Sequence, residues 1–89
     1  MTEFVYVFDE ERASFPSAVF STKEKAYAWI KELGARGTLT EYPVDVPAYD
    51  FAVENGYFKP KKPHHFENAF KTRFTNATGW HEHFNMDDD

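Results

Sequence analysis

Apolar side chains recur at every second position near the start of the chain, where Phe4, Tyr6 and Phe8 alternate with Val5 and Val7. A period of two predicts a strand over Glu3 to Phe8, with aromatic rings on one face and valines on the other. Both faces are apolar, so the strand is expected to be central or covered on both sides. Asp9 to Phe15 forms a charged connection too long for a tight hairpin. Pro16 to Phe20 resumes as a second strand, most simply antiparallel to the first.

The period then lengthens. Ala26, Trp29, Ile30 and Leu33 recur at i, i+3, i+4 and i+7, which predicts one apolar stripe on a helix. Ser21-Thr22-Lys23-Glu24 fits a capping box, with the Ser21 hydroxyl and the Glu24 carboxylate satisfying the first free backbone N–H groups. Gly34 supplies the left-handed stop. Gly37 to Tyr42 reads as a third strand, which Pro43 ends or places on an edge. Asp45 is expected to cap a short second helix with Pro47 in its first turn. Tyr49, Ala52 and Val53 form its inward face, and Asn55-Gly56 closes it.

Tyr57 to His65 reads as an extended, proline-spaced linker. Phe66, Ala69, Phe70 and Phe74 have the spacing of a third short helix. Thr75 to Gly79 is a turn, and Trp80 to Phe84 a strand or an ordered tail. The predicted order is β-β-α-β-α-α with a possible final strand. This is an α+β fold: a two-layer sandwich with a small antiparallel sheet of three to four strands and helices on one face. Residues 1–84 form the single domain and residues 85–89 an acidic tail.

Composition sharpens this picture. The 89 residues suffice for one domain, and at 19% aromatic with few long aliphatic chains the core is expected to be led by Phe. There is no cysteine, which removes disulfides and thiolate metal sites and favours a reducing compartment. The N-terminus lacks the basic and apolar regions of a signal peptide, and no segment reaches membrane-span length. The expected location is the cytoplasm, with no membrane partner.

The formal net charge is −5 and unevenly placed. Residues 59–73 hold five of the ten Lys and Arg but one of the fifteen acids, while the last sixteen residues hold four acids and no Lys or Arg. An acidic chain with one short basic segment is a poor general ligand for nucleic acid.

Three groups of residues could carry chemistry. His81 and His83 share a face if Trp80–Phe84 is extended, and imidazoles so placed can hold a divalent metal. His65, Glu82 or Asp87 could add ligands, and the metal triad expected on this reading is His65, His81 and His83. The histidines could also act as acid or base near neutrality. Lys59, Lys61 and Lys62, beside Tyr57 and Phe58, could meet phosphates and bases, grip an acidic protein surface, or simply keep a linker soluble. The acids Asp9, Glu10 and Glu11, with Glu41, Asp45, Asp50 and Glu54, could dock a basic partner, where charge speeds encounter more than it fixes affinity. No nucleophile elbow, Walker loop or dinucleotide fingerprint is present, so no catalytic residue is assigned.

VYVF (5–8), FPSAVFSTKEKAYAWI (15–30), GTLTEYPVDVPAYDFAVENGYFKPKKP (37–63) and HEHF (81–84) together resemble a family of small bacterial proteins classed as a domain of unknown function. The resemblance runs from Phe4 to about Phe84 and is most specific from Tyr42 to Pro63. It implies a common domain extent and transfers no catalytic residue. The function expected from these features is a non-catalytic protein-binding module, of the immunity or inhibitor type that neutralises a partner protein. The alternative is a small metal- or ligand-binding domain that uses the C-terminal histidines. An enzyme fits least well. Neither the partner's identity nor the oligomeric state follows from the sequence.

Overall fold

Alternation at the start of the chain produces β1 (Phe4–Glu10), which pairs antiparallel on one side with β2 (Ala18–Phe20) and on the other with β3 (Gly37–Pro43). β4 (His81–Phe84) adds antiparallel to the far side of β3, giving the sheet order β2-β1-β3-β4. The computed structural model describes residues 3–86, so the terminal aspartates and the ligand suggested at Asp87 lie outside the described residues. The segment expected over Trp80–Phe84 thus resolves as a strand from His81 to Phe84 on the edge of the sheet. Pro43 does not put β3 on an edge; it is the last residue of a central strand, opposite Phe4.

The register sorts the side chains into two faces, because neighbours across a sheet point the same way. The first face carries Phe4, Tyr6, Phe8, Phe20, Leu39 and Phe84. The second carries Val5, Val7, Asp9, Val19, Thr38, Thr40, Tyr42, His81 and His83.

Helix α1 (Lys23–Leu33) lies on the first face, where Phe8, Ala26, Ile30 and Leu39 form the buried core. Trp29 meets Phe8 edge-on at 5.4 Å between ring centroids and Phe20 at 5.6 Å. The cap is Thr22 rather than Ser21, since the Thr22 hydroxyl accepts from the Lys25 N–H at 3.2 Å. The helix starts one residue later than the Ser21–Glu24 box requires, and its third residue is Lys25, which has no carboxylate to return the bond. Gly34 ends it at φ 61°.

Helix α2 (Ala48–Glu54) follows the sheet, and Phe51 packs on Phe4. Asp45 does not cap it. Pro47 holds the cap position with no side-chain bond, and Asp45 instead takes a left-handed turn conformation at φ 65°, which Asp tolerates better than most residues. Tyr49 and Ala52 are buried as expected, but Val53 is more than a third exposed.

The proline-spaced segment is less extended than its sequence implies. Pro63–Phe66 coils into a 3-10 turn, followed by α3 (Asn68–Arg73), so the predicted single helix from Phe66 is split and Phe66 is left exposed. Phe58, His65, Phe70 and Phe74 close around Tyr49 as a second aromatic cluster. The Tyr49 hydroxyl donates to the His65 carbonyl at 2.8 Å and ties α2 to this lobe.

The helix-to-sheet ring contacts run to Phe4, Phe8, Phe20 and Phe84, all on the first face. With Cα extents of 44 × 35 × 19 Å, the protein is a two-layer α+β fold with an open sheet.

Candidate functional site

An antiparallel sheet with one solvated face ordinarily alternates apolar and polar residues, polar side outward. β1 does not. Its second face is Val5, Val7 and Asp9, and β2 adds Val19 at 63% exposure. β3 contributes Thr38, Thr40 and Tyr42, and β4 contributes the exposed His81 and His83. Val5, Val7 and Tyr42 are half-buried, and Thr40 is buried between Val7 and His81. The result is a β-branched apolar strip with a carboxylate at one end and two imidazoles along one edge.

The acidic residues divide between the two ends of the sheet. Asp9 sits on the second face opposite Thr38, and Glu10 stands opposite Gly37. The Glu10 carboxylate accepts from the Arg12 N–H at 2.9 Å. Glu11 is engaged by Arg36 at 2.8 Å, and this hydrogen bond holds its carboxyl below the usual range. Asp45 follows Pro43 at the opposite end of the β1–β3 ladder, and Asp50 flanks a groove with Lys71. Seven residues of strand span about 20 Å, so Asp9–Glu11 and Asp45–Asp50 stand at opposite ends of the β1–β3 ladder. Among the other acids, Glu41 accepts from the Tyr6 hydroxyl at 2.9 Å. Desolvation, helped by this carboxylate, raises the Tyr6 phenol above its ordinary value.

The basic segment keeps its charges at the surface, with Lys59, Lys61 and Lys62 all exposed. Tyr57 is half-exposed and rests against Phe51. Phe58 is spent on packing, stacked with Phe70 at 5.6 Å and against Phe74 at 5.1 Å, so its ring is not offered to a nucleic-acid base.

The three expected metal ligands are not brought together. Among the described residues, no group of three or more His, Asp or Glu side chains is placed to hold an ion. His65 belongs to the aromatic lobe, where its Nδ1 accepts the backbone N–H groups of Lys61 and Lys62 at 3.1 and 3.2 Å. Glu82 points to the first face and accepts from the Tyr27 hydroxyl at 3.1 Å. His81 and His83 do share a face, with ring centroids 5.3 Å apart.

His65 carries its own prediction. Partial desolvation, then the nearby positive charges of His64 and Lys62, lower its pKa from the ordinary 6.5. A His depressed in the folded state binds fewer protons there than in the unfolded chain, so stability rises with pH in that window. Its contribution is present above 6.5 and is lost as pH falls through the folded value, because the imidazolium cannot accept the Lys61 and Lys62 N–H bonds. NMR titration is expected to place the His65 midpoint below 6.5, with the Lys61 and Lys62 amides moving at the same midpoint. A midpoint at or above 6.5 contradicts this role.

Sequence reasoning missed the second face as a site, although its signal, valines alternating with aromatics, was plain. Among the described residues, no helix is long and apolar enough to cross a membrane. Neither the curated proteins nor the solved structures contain a match to this chain. A family model does match, over residues 5–89, and the chain belongs to that family, the domain of unknown function DUF7710.

Proposed function

We propose that this chain is a non-catalytic protein-binding module that docks its partner on the second face of the sheet. One observation carries the reading: the second face of a central strand is built from valines, no helix-to-sheet ring contact among the described residues reaches it, and Val19 beside it is 63% exposed. Exposed apolar strips with polar rims characterise interaction sites. The partner that fits is a protein with an apolar ridge flanked by basic groups, because the chain is acidic overall and Asp9 borders the strip. Small size, acidity and the absence of an organised catalytic motif support an immunity- or inhibitor-type role that neutralises such a partner. The lack of cysteine and the resemblance across Tyr42–Pro63 support a setting in the bacterial cytoplasm.

Substitution on the strip tests the reading. The side chain of Val19 is largely in solvent on an edge strand, so Val19→Arg is expected to change folding stability by less than about 0.5 kcal/mol. The same change is expected to weaken the complex with the captured partner by about tenfold or more, a loss of roughly 1.4 kcal/mol or more. Asp9→Lys is expected to slow association and flatten its salt dependence. Asp50→Lys, at the far end of the sheet, is expected to do neither. Binding that ignores Val19→Arg but falls with Asp50→Lys would move the interface elsewhere.

A further inference from the structure

We propose that His81 and His83 form a two-imidazole chelate for a divalent transition-metal ion on the edge strand β4. Both side chains project from the second face, both are exposed, and their ring centroids are 5.3 Å apart. A Zn–N bond of ~2.0–2.1 Å puts an imidazole centroid about 3.2 Å from the ion, so two imidazoles at tetrahedral positions stand about 5.2 Å apart. The observed centroid spacing matches that separation.

A second observation is that Thr38 engages one ring nitrogen of His83 and leaves the other, Nε2, for an ion. The Thr38 hydroxyl lies 3.0 Å from His83 Nδ1 and pairs with it across β3 and β4. In the tautomer in which Nδ1–H donates to Thr38, which is the one that binds an ion, the lone pair of His83 is on Nε2, the atom farther from the backbone. Outer-shell hydrogen bonds of this kind orient ligating histidines and set their tautomer. His64 and His65 also lie close, at 4.4 Å between centroids, but the Nδ1 of His65 is held by two backbone N–H groups. That pair serves as an internal control.

Two protein ligands leave the remaining positions to water, one protein ligand fewer than an open catalytic zinc site keeps. Neutral imidazoles without thiolate or carboxylate favour Zn2+, Ni2+ or Cu2+ over Mg2+ or Ca2+. Chelation is a property of the isolated chain, so its test is separate from that of partner docking.

The test is a Zn2+ titration of the purified chain, read by the imidazole NMR signals and by calorimetry. The expected result is one ion per chain, with His81 and His83 shifting together and His64 and His65 unmoved. His81→Ala and His83→Ala are each expected to remove saturable binding. Both side chains are exposed, so the fold is expected to persist. Thr38→Val is expected to weaken Zn2+ binding by about tenfold, and Thr38→Ser to restore it. Rings that do not respond to Zn2+, binding that survives either alanine variant, or binding lost with His64→Ala would overturn the proposal.

Discussion

Replacing Phe8 by alanine is expected to cost about 3–5 kcal/mol of folding stability. Phe8 is completely buried, paired with Leu39 across β1 and β3, and capped by the edge of Trp29 at 5.4 Å. Removing the ring leaves a cavity at the junction of α1 with the two central strands, which cannot collapse without pulling the sheet out of register. A domain of this length has a total stability of only about 4–13 kcal/mol, so the variant should be close to unfolding at 37 °C. Urea denaturation is the direct measurement. Phe15→Ala supplies the contrast, because Phe15 is 78% exposed and its removal is expected to change stability by less than about 0.5 kcal/mol. A loss under about 1.5 kcal/mol for Phe8→Ala would mean that the core lies elsewhere.

Gly37→Ala is the second large effect, and its sign runs against the usual one. Gly-to-Ala changes at compatible positions stabilise by ~0.4–1 kcal/mol through the unfolded chain. At Gly37 an added methyl would run into the backbone carbonyl of Asp9 and come within 2.8 Å of the Phe8 ring. The carbonyl belongs to a central strand and cannot turn away cheaply. The overpacking is expected to cost about 2–3 kcal/mol net, again measured by urea denaturation. A stabilised Gly37→Ala protein would show that β1 and β3 do not approach as closely as described.

These two residues also mark what the sequence makes legible. Alternation placed Phe8 on an apolar face, and the i, i+3, i+4, i+7 stripe placed Trp29 and Ile30 on the helix that covers it, because both patterns are local and repeat. Gly34 was readable for the same reason: a glycine after an apolar stripe has one common use. Caps were less legible. Ser21 and Thr22 are adjacent hydroxyls, and only the backbone decides which one faces the first turn. Asp45 offered a capping side chain, but the chain turns there through a left-handed conformation and the helix begins after Pro47.

Residues 58–74 were least legible. Phe58 and His65 looked like parts of a linker, and their positions depend on Tyr49, which lies nine and sixteen residues away in sequence. Local spacing carries no information about such packing. The metal triad failed for the same reason: His81 and His83 are strand neighbours, whereas His65 reaches them only through tertiary arrangement, and that arrangement takes it into another cluster.

The most informative mismatch is the second face of β1. Its valines led to the expectation of a central position or cover on both sides; the strand is central, and the ring contacts of α1 and α2 lie on the other face. Places where local pattern and observed environment disagree are where function is to be sought.

Methyl NMR of the complex with a captured partner reads the docking surface directly. Val5, Val7 and Val19 lie on the second face, whereas Leu33 and Val53 are exposed on helices away from it. Docking on the sheet is expected to shift or broaden the methyl signals of Val5, Val7 and Val19 and leave those of Leu33 and Val53 in place. Perturbation confined to Leu33 or Val53, with the three sheet valines unchanged, would contradict the sheet face as the binding surface.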